Sequence, residues 1–562
     1  MKHILGTILC SSLLLTSCFD LDLNPLSEGS SENWYSTETE VDMAVKEGYK
    51  AGFWYTDSEE WTDNYGYRSD VSNIVSGTLN GQSGAPTSLW ANSYKLIARM
   101  NTVLANLSKA ENNMTPNKLN LFRAEASFIR ASMYAYLVSH FGDVVYVTEV
   151  IDINEAFKMG RTSRDEIIPK IYEDYDVAIE GLPVSYPTSG LQRATKGAAL
   201  AMKARFALYM SDWEKAAEAS KQCMDLGVYK LHPDYADYFV PATKQSKESI
   251  FYFPRSISEN VTIWGRYYLP RNAGGWAGHA PTWDLLAAYE CVDGLPIDES
   301  PLFDSHEPFK NRDPRCCMTI IPFGSQFLGY DYDPHPEAIK VMNYTTGKMQ
   351  VNNDTRANNQ YASFNGLLWK KGIDNTWLLN GQKVDPDNVK IRYADVLLMY
   401  AEAKIELNQI DQSVLDAINS VRARAYGVSK DETSSYPAIT ETDQAKLRKI
   451  VRNERRVEFA NEGLRYMDLI RWKLASKALT GSSYGMLYPA SLCIEKVTSK
   501  GGWFWPMTPD IDEDGLADFS AMEKAGLIMA LSKRSWNDRQ YLWPIPTKEI
   551  LINENLTQNP GY

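Results

Sequence analysis

The sequence predicts a mainly α fold: a scaffold of paired helices broken by long irregular excursions of loop and short strand. Three observations predict it. Apolar residues recur at three- and four-residue steps through two regions, about 86–226 and about 391–475. Capping and turn-forming residues stand where the periodic runs end. Over about 229–390 and again over about 479–546, helical periodicity fades and Gly, Pro, Asn and aromatics cluster.

The first hairpin joins a run through Trp90, Tyr94, Ile97, Asn101 and Leu104 to one through Phe122, Ala126, Ile129, Met133, Tyr136, Leu137 and His140. Asn112, Asn113, Thr115 and Pro116 make its turn, and Phe141-Gly142 its stop. Residues 165–180 supply a further helix. The next hairpin is rich in alanine: residues 198–210, a Ser211-Asp212 turn and N-cap, then residues 213–226 closed by Gly227. Ala216, Ala217 and Ser220 face inward and let two helices approach closely. The last hairpin spans 393–407 and 411–425, with Gly427 as its stop. Helix pairs of this length with short turns resemble tetratricopeptide units.

The ends and the composition narrow the function. Met1-Lys2-His3 is basic, and the apolar run from Ile4 to Leu15 is shorter than the roughly 20 residues a membrane span needs. It has the length of a signal-peptide core, so residues 1–17 are expected to be a lipoprotein signal peptide. Leu15-Thr16-Ser17-Cys18 resembles a lipobox, with Cys18 as the lipidated residue that anchors residues 18–562 to a membrane by the lipid alone. A net charge of −13 argues against nucleic acid, whose phosphates need clustered Lys and Arg. Beyond Cys10 and Cys18, the cysteines are Cys223, Cys291, Cys316, Cys317 and Cys493. They show no CxxC spacing and are expected as free thiols. No GxSxG, HExxH or phosphate-binding Gly-rich loop occurs, and among 71 acidic residues a pair of carboxylates carries no information. No catalysis and no cofactor are expected.

Several segments together resemble the SusD/RagB family of outer-membrane nutrient-binding lipoproteins. They are Arg392-Tyr-Ala-Asp-Val-Leu-Leu-Met-Tyr-Ala-Glu-Ala403, Ala417-Ile-Asn-Ser-Val-Arg422, the run from Arg452 through Arg465 to Trp472, Pro544-Ile-Pro546 and Gln558-Asn-Pro-Gly-Tyr562. Ala124-Glu-Ala126, Phe141-Gly-Asp143 and Ala288-Tyr-Glu with Asp293-Gly294 fit the same family in the same order. The resemblance implies a SusD-like domain over the mature chain. It also implies capture of oligosaccharide or polysaccharide, or in some branches of peptide, and a SusC-like TonB-dependent transporter as partner. Asp20 and Asp22 behind Cys18 resemble the surface-export signal of such lipoproteins. Locally, Glu454, Arg455, Arg456 and Glu458 are spaced to pair along a helix surface. Arg465 and Arg471 are candidates for bidentate ties to carboxylates on other helices.

Sugar rings offer C–H faces and hydroxyl edges, so a site for them needs exposed aromatics beside Asn, Asp or Arg. Two irregular segments supply that mixture. The first holds Trp54, Trp61, Asp63, Asn64, Tyr65, Tyr67, Arg68, Asp70 and Asn73; the second holds Trp264, Tyr267, Tyr268, Arg271, Asn272 and Trp276. Trp61, Tyr65, Arg68, Asp70, Asn73, Trp264, Tyr267, Arg271, Asn272 and Trp276 are the candidate ligand-binding residues. Trp369, Lys370 and Lys371 are a weaker source. Asp510, Asp512, Asp514 and Asp518, with Gly515 at the turn, resemble the first half of a calcium loop and are candidate ligands for a structural calcium ion. Ala521 departs from that pattern, standing where the bidentate Glu belongs.

Overall fold

Caps set the helix boundaries. In the computed structural model, which describes residues 34–68, 71–187 and 193–562, α1 (Glu38–Lys46) opens with a capping box between Thr37 and Glu40. The expected leader and Cys18 lie outside these residues, as does Asp70. α2 (Gly84–Asn106) and α3 (Pro116–Phe141) make the first long hairpin. Thr115 caps α3 through the Lys118 amide, Pro116 sits where no amide is needed, and Gly142 ends the helix at φ 73°. A short α4 (Ile153–Ala156) leads to α5 (Arg164–Gly181), α6 (Lys196–Tyr209) and α7 (Trp213–Asp225), the last capped by Asp212. α3 packs between α2 and α5, and α6 between α5 and α7. Ala198, Ala199, Ala201 and Ala204 are fully buried on α6, which lets neighbouring backbones close up.

The ladder resumes much later in the chain. After α8 (Trp283–Ala288) and α9 (Pro314–Thr319) in the excursion, α10 (Tyr393–Glu406) packs directly on α7. α11 (Gln412–Ala425) and α12 (Gln444–Glu458) pack on α10, and α13 (Arg465–Arg471) follows. Among the described residues no helix is long and apolar enough to cross a membrane.

The excursions carry short strands in pairs. Tyr65–Tyr67 runs antiparallel to His279–Pro281, and Ile263–Trp264 to Lys383–Val384. Ser249–Phe253 pairs with Asn388–Arg392, the strand that leads into α10. Ser325–Phe327, Tyr330–Tyr332, Lys340–Asn343 and Lys348–Val351 form one four-stranded meander. A second apolar core, around Trp283, Trp369 and Trp505, lies beneath these strands. The five described cysteines are free thiols.

The charged run of α12 departs from the sequence expectation. Glu454, Arg455, Arg456 and Glu458 are buried, and their partners sit on other elements rather than along the helix. Glu458 accepts from Arg315 of α9 at 3.0 Å, from Arg392 at 2.7 Å and from Arg424 of α11. Glu454 meets Arg315 at 2.6 Å and Arg422 at 3.0 Å. Arg455 reaches Asp395 at 2.8 Å, and Arg456 reaches Asp63 at 2.8 Å. The reason is packing: α12 lies between the ladder and the second core, so pairing along an exposed face is not available to it. Both expected arginine forks form, but only Arg471 reaches another helix, at Glu402 of α10 at 2.5 and 2.7 Å; Arg465 grips Asp63 in the turn before the strand Tyr65–Tyr67, at 2.9 Å through both nitrogens. Burial alone would raise the Glu458 carboxyl, but Arg424, Arg392 and Arg315 hold it down at about 2.

Candidate functional site

One loop, residues 265–278, gathers an open aromatic surface next to the strand Ile263–Trp264. Its backbone bonds to itself: Gly275 N–H to Pro270 O at 2.8 Å, Trp276 N–H to Arg266 O at 2.8 Å, Gly278 N–H to Tyr267 O at 2.9 Å. Leu269, fully buried, pins its base. The fold-back needs glycine at two places. Gly274 has φ +82°, and a Cβ on Gly275 would stand 2.1 Å from the Leu269 carbonyl oxygen.

The loop brings three rings together edge to face. Trp264 and Trp276 are 5.0 Å apart at 78°, and Tyr267 and Trp276 are 4.8 Å apart at 84°. Trp264 keeps 45 % of its surface exposed and Tyr267 36 %, while Trp276 is half-buried. His279 stacks on Tyr267 at 4.8 Å. Burial first, and then the neighbouring Arg68, push its imidazole down to about 4.

Guanidinium groups border the rings. Arg266 lies 5.2 Å from the Trp276 ring centre. Arg68 donates to Trp276 O at 2.6 Å and Tyr361 O at 3.0 Å. Arg68 and Arg271 both lie over the Tyr361 ring, at 5.3 and 5.8 Å. Tyr361, 50 % exposed, thus joins the platform. It stands alone in a polar stretch of sequence, so no local pattern marks it. Asn272 ties the loop to the meander, donating to Asn352 Oδ1 at 3.1 Å. Asp354 accepts the Arg271 and Asn272 amides, and its burial pushes the carboxyl up to about 6.

Other expected residues go elsewhere. Trp61, expected as an open ring, is wedged among Tyr55, Tyr466 and Trp543 at 5.5–6.3 Å. Tyr65, also expected open, is 6 % exposed and packs on His279 and Trp369. The polar residues beside them do not mark an open surface: Asp63 and Asn64 bind Arg456 in the interior. Asn73 donates to Ser83 at 3.0 Å, in a turn whose Ile74 carbonyl bonds Gln540, away from the platform. Trp369 is fully buried and Lys371 is held by Glu462 at 2.6 Å, so that segment presents no platform.

The acidic loop forms a hairpin, with Asp510 opposite Asp518. Asp512 accepts the Asp514 and Leu516 amides. Its carboxylate and that of Asp514 converge on the Lys477 ammonium, at 2.9 and 2.6 Å. A resident lysine therefore occupies the place where the spacing suggested a cation, and among the described residues no group of three or more His, Cys, Asp or Glu is placed to hold a metal.

Behind the platform lies a polar cleft of about 500 Å³, with Ile263 and Tyr268 in its wall while Trp264 and Tyr267 face out on the other side. Its two lysines are paired, Lys244 with Asp385 at 2.7 Å and Lys371 with Glu462 at 2.6 Å, and Arg255 donates to the Pro386 carbonyl at 2.9 Å. The platform, with open faces and unspent donors, is the better ligand surface.

Residues 241–562 match the family model described as the SusD family. The chain belongs to the SusD family. Residues 21–208 match a second model, described as starch-binding associating with outer membrane. A SusD-like protein of Formosa agariphila, P2, is 25 % identical over the full length of both chains. A crystal structure of a SusD-like carbohydrate binding protein from Bacteroides fragilis is 30 % identical, with TM-score 0.75 over 93 % of this chain and 99 % of that one. Another SusD-like protein of the same species, 24 % identical with TM-score 0.74 over 95 % and 99 %, shares the fold. The SusD family is one of carbohydrate-binding, non-catalytic proteins associated with the outer membrane.

Proposed function

We propose that this SusD-family protein captures oligosaccharide or polysaccharide at the cell surface on the Trp264–Tyr267–Trp276 platform and passes it to a SusC-like TonB-dependent transporter. The observation that carries the reading is the exposed ring cluster held on a self-bonded loop with guanidinium donors at its edge. A pyranose C–H face lies flat on an indole, and edge hydroxyls reach Arg and Asn donors. The lipobox at Cys18, with Asp20 and Asp22 behind it, supports a lipid anchor in the outer membrane with the body displayed outward.

Affinity electrophoresis against a polysaccharide panel, followed by calorimetry on the ligand found, tests the capture. Trp264→Ala removes an open indole face worth about 1–2 kcal/mol, so Kd rises roughly 5- to 30-fold. Failure of every polysaccharide in the panel to retard the protein overturns the reading. Metabolic palmitate labelling of wild type and Cys18→Ala tests the anchor, and co-purification with a TonB-dependent transporter tests the partnership.

A further inference from the structure

The platform is ringed by positive charge in an acidic protein. The chain carries a net charge of −13, and Arg315, Arg392, Arg455, Arg465 and Arg471 close on carboxylates in the interior. Arg68, Arg266 and Arg271 are different. Their described side-chain hydrogen bonds go only to backbone carbonyls: Trp276 and Tyr361 for Arg68, Gly274 for Arg266 at 3.4 Å, Gly275 and Trp276 for Arg271 at 3.4 and 3.5 Å. A carbonyl accepts a hydrogen bond without cancelling the charge. The nearby Asp354 gives its oxygens to the Arg271 and Asn272 amides. Exposed Lys383 stands directly opposite Trp264 across the strand pair and adds a fourth cation. The like charges act on one another: after burial, the Arg271 charge lowers the pKa of Arg68.

Resting on the glycan-capture reading, we propose that this platform selects anionic glycans, whose sulfate esters or uronate carboxylates bind Arg68, Arg266 and Arg271 while the sugar faces stack on Trp264 and Trp276. Each part has a reason. The planar guanidinium fork matches sulfate and carboxylate oxygens, and contact with the Trp276 and Tyr361 rings, at 5.2 and 5.3 Å, holds two of the forks beside the platform. Among the described residues no carboxylate pairs with these three guanidiniums, so the attraction is open to an anionic ligand. A neutral glycan uses the same rings and takes ordinary hydrogen bonds from the guanidiniums to its hydroxyls, without the charge-assisted gain that an anion makes.

Two probe pairs, each with one backbone in charged and neutral form, test this by calorimetry: κ-carrageenan with its desulfated product, and polygalacturonate with its methyl ester. The expected result is that the charged member of at least one pair binds roughly 10-fold or more tightly, with affinity falling as salt rises. The pair that responds separates sulfate from carboxylate. Arg266→Gln and Arg271→Gln reduce the charged-to-neutral affinity ratio by roughly 10-fold per charge, because Gln keeps an N–H donor for a sugar hydroxyl and loses only the charge. Arg266→Lys keeps part of the preference, and Trp264→Ala weakens both members. Equal binding of charged and neutral members, abolished by Trp264→Ala, overturns charge selection and leaves glycan capture standing. Binding of only other, neutral polysaccharides does the same. Charged-probe binding indifferent to Trp264, Arg266 and Arg271 places the charge effect elsewhere and overturns the proposal. Absence of binding to any polysaccharide overturns the capture reading and this proposal together.

Discussion

Glu458→Gln is expected to loosen the junction between the helical ladder and the excursions. The side chain keeps its shape but loses the charge that Arg315, Arg392 and Arg424 share, and all four groups are buried. Breaking a buried ion pair by neutralising one partner costs about 3–5 kcal/mol, because the remaining charges are left uncompensated in a dry site. For a chain of this size, an unfolding entropy near 2.1 cal/mol/K per residue gives roughly 1 kcal/mol per degree. The midpoint at pH 7 should therefore fall by about 3–5 °C in scanning calorimetry. The pH dependence has a definite sign. The folded carboxyl is depressed from 4.5 to about 2, so its stabilisation is fully present above pH 4.5 and is lost as pH falls toward 2. At about 1.4 kcal/mol per pH unit of depression this amounts to roughly 3 kcal/mol, so the gap between wild type and variant should close over that window. Lys221→Ala, which removes an exposed one-turn pair with Asp225, should shift the midpoint by less than about 0.5 °C. If Glu458→Gln unfolds within about 1 °C of wild type at pH 7, or the gap is flat from pH 6 to 3, the junction does not hold the molecule together.

Trp61→Ala should destabilise the fold by about 3–5 kcal/mol in urea unfolding, since the ring packs against Tyr466 and Trp543, yet leave the glycan Kd of the folded protein unchanged. Gly275→Ala should weaken glycan binding, because the new Cβ collides with the Leu269 carbonyl and forces the loop open; the melting point should move little beside the loss of affinity. Calcium titrated into the wild type should release no more heat than into Asp512→Ala, because Lys477 already holds Asp512 and Asp514, whereas Lys477→Ala should gain cation affinity.

Much of the helical ladder could be read from the chain, because caps and periodicity are local. Thr115-Pro116, Phe141-Gly142 and Asp212 act within one turn of where they stand, and the helices start and stop there. The packing of α10 on α7 is not local: it joins segments separated by the whole excursion, and only their shared small-residue faces hint at it. The site divided the same way. Tyr267 and Trp276 lie in one short loop, directly after the strand that ends in Trp264, and its Gly and Pro residues announce a fold-back, so their grouping is legible in the sequence. Trp61 and Tyr65 sit among polar residues just as Trp264 does. What separates them is where Asp63 and Asn64 go, and that is fixed by Arg456 and Arg465 some 400 positions away. Spacing alone is ambiguous at the acidic loop, where alternating carboxylates suit a metal and an ammonium equally well. Lys477, which decides between them, belongs to another segment.

The placement of these charges suggests a division of labour. Inside, carboxylates such as Glu458 and Glu454 are shared among several arginines and fix how the excursions sit on the ladder; at the platform, Arg68, Arg266 and Arg271 bond backbone carbonyls and meet no carboxylate among the described residues. Arg68 draws together the Trp276 and Tyr361 backbones, which lie 85 residues apart in sequence, while Asn272 and Asp354 join the loop to the meander. The rings are thus held in place before any ligand arrives, and binding need not spend free energy on ordering the loop. Because the loop's stability comes from its own backbone bonds and from Leu269 beneath it, its outer side chains can change without disturbing α7, α10 or α12. A shared helical scaffold with exchangeable rim residues accounts for how about 25–30 % identity to its relatives coexists with one fold along nearly the whole chain.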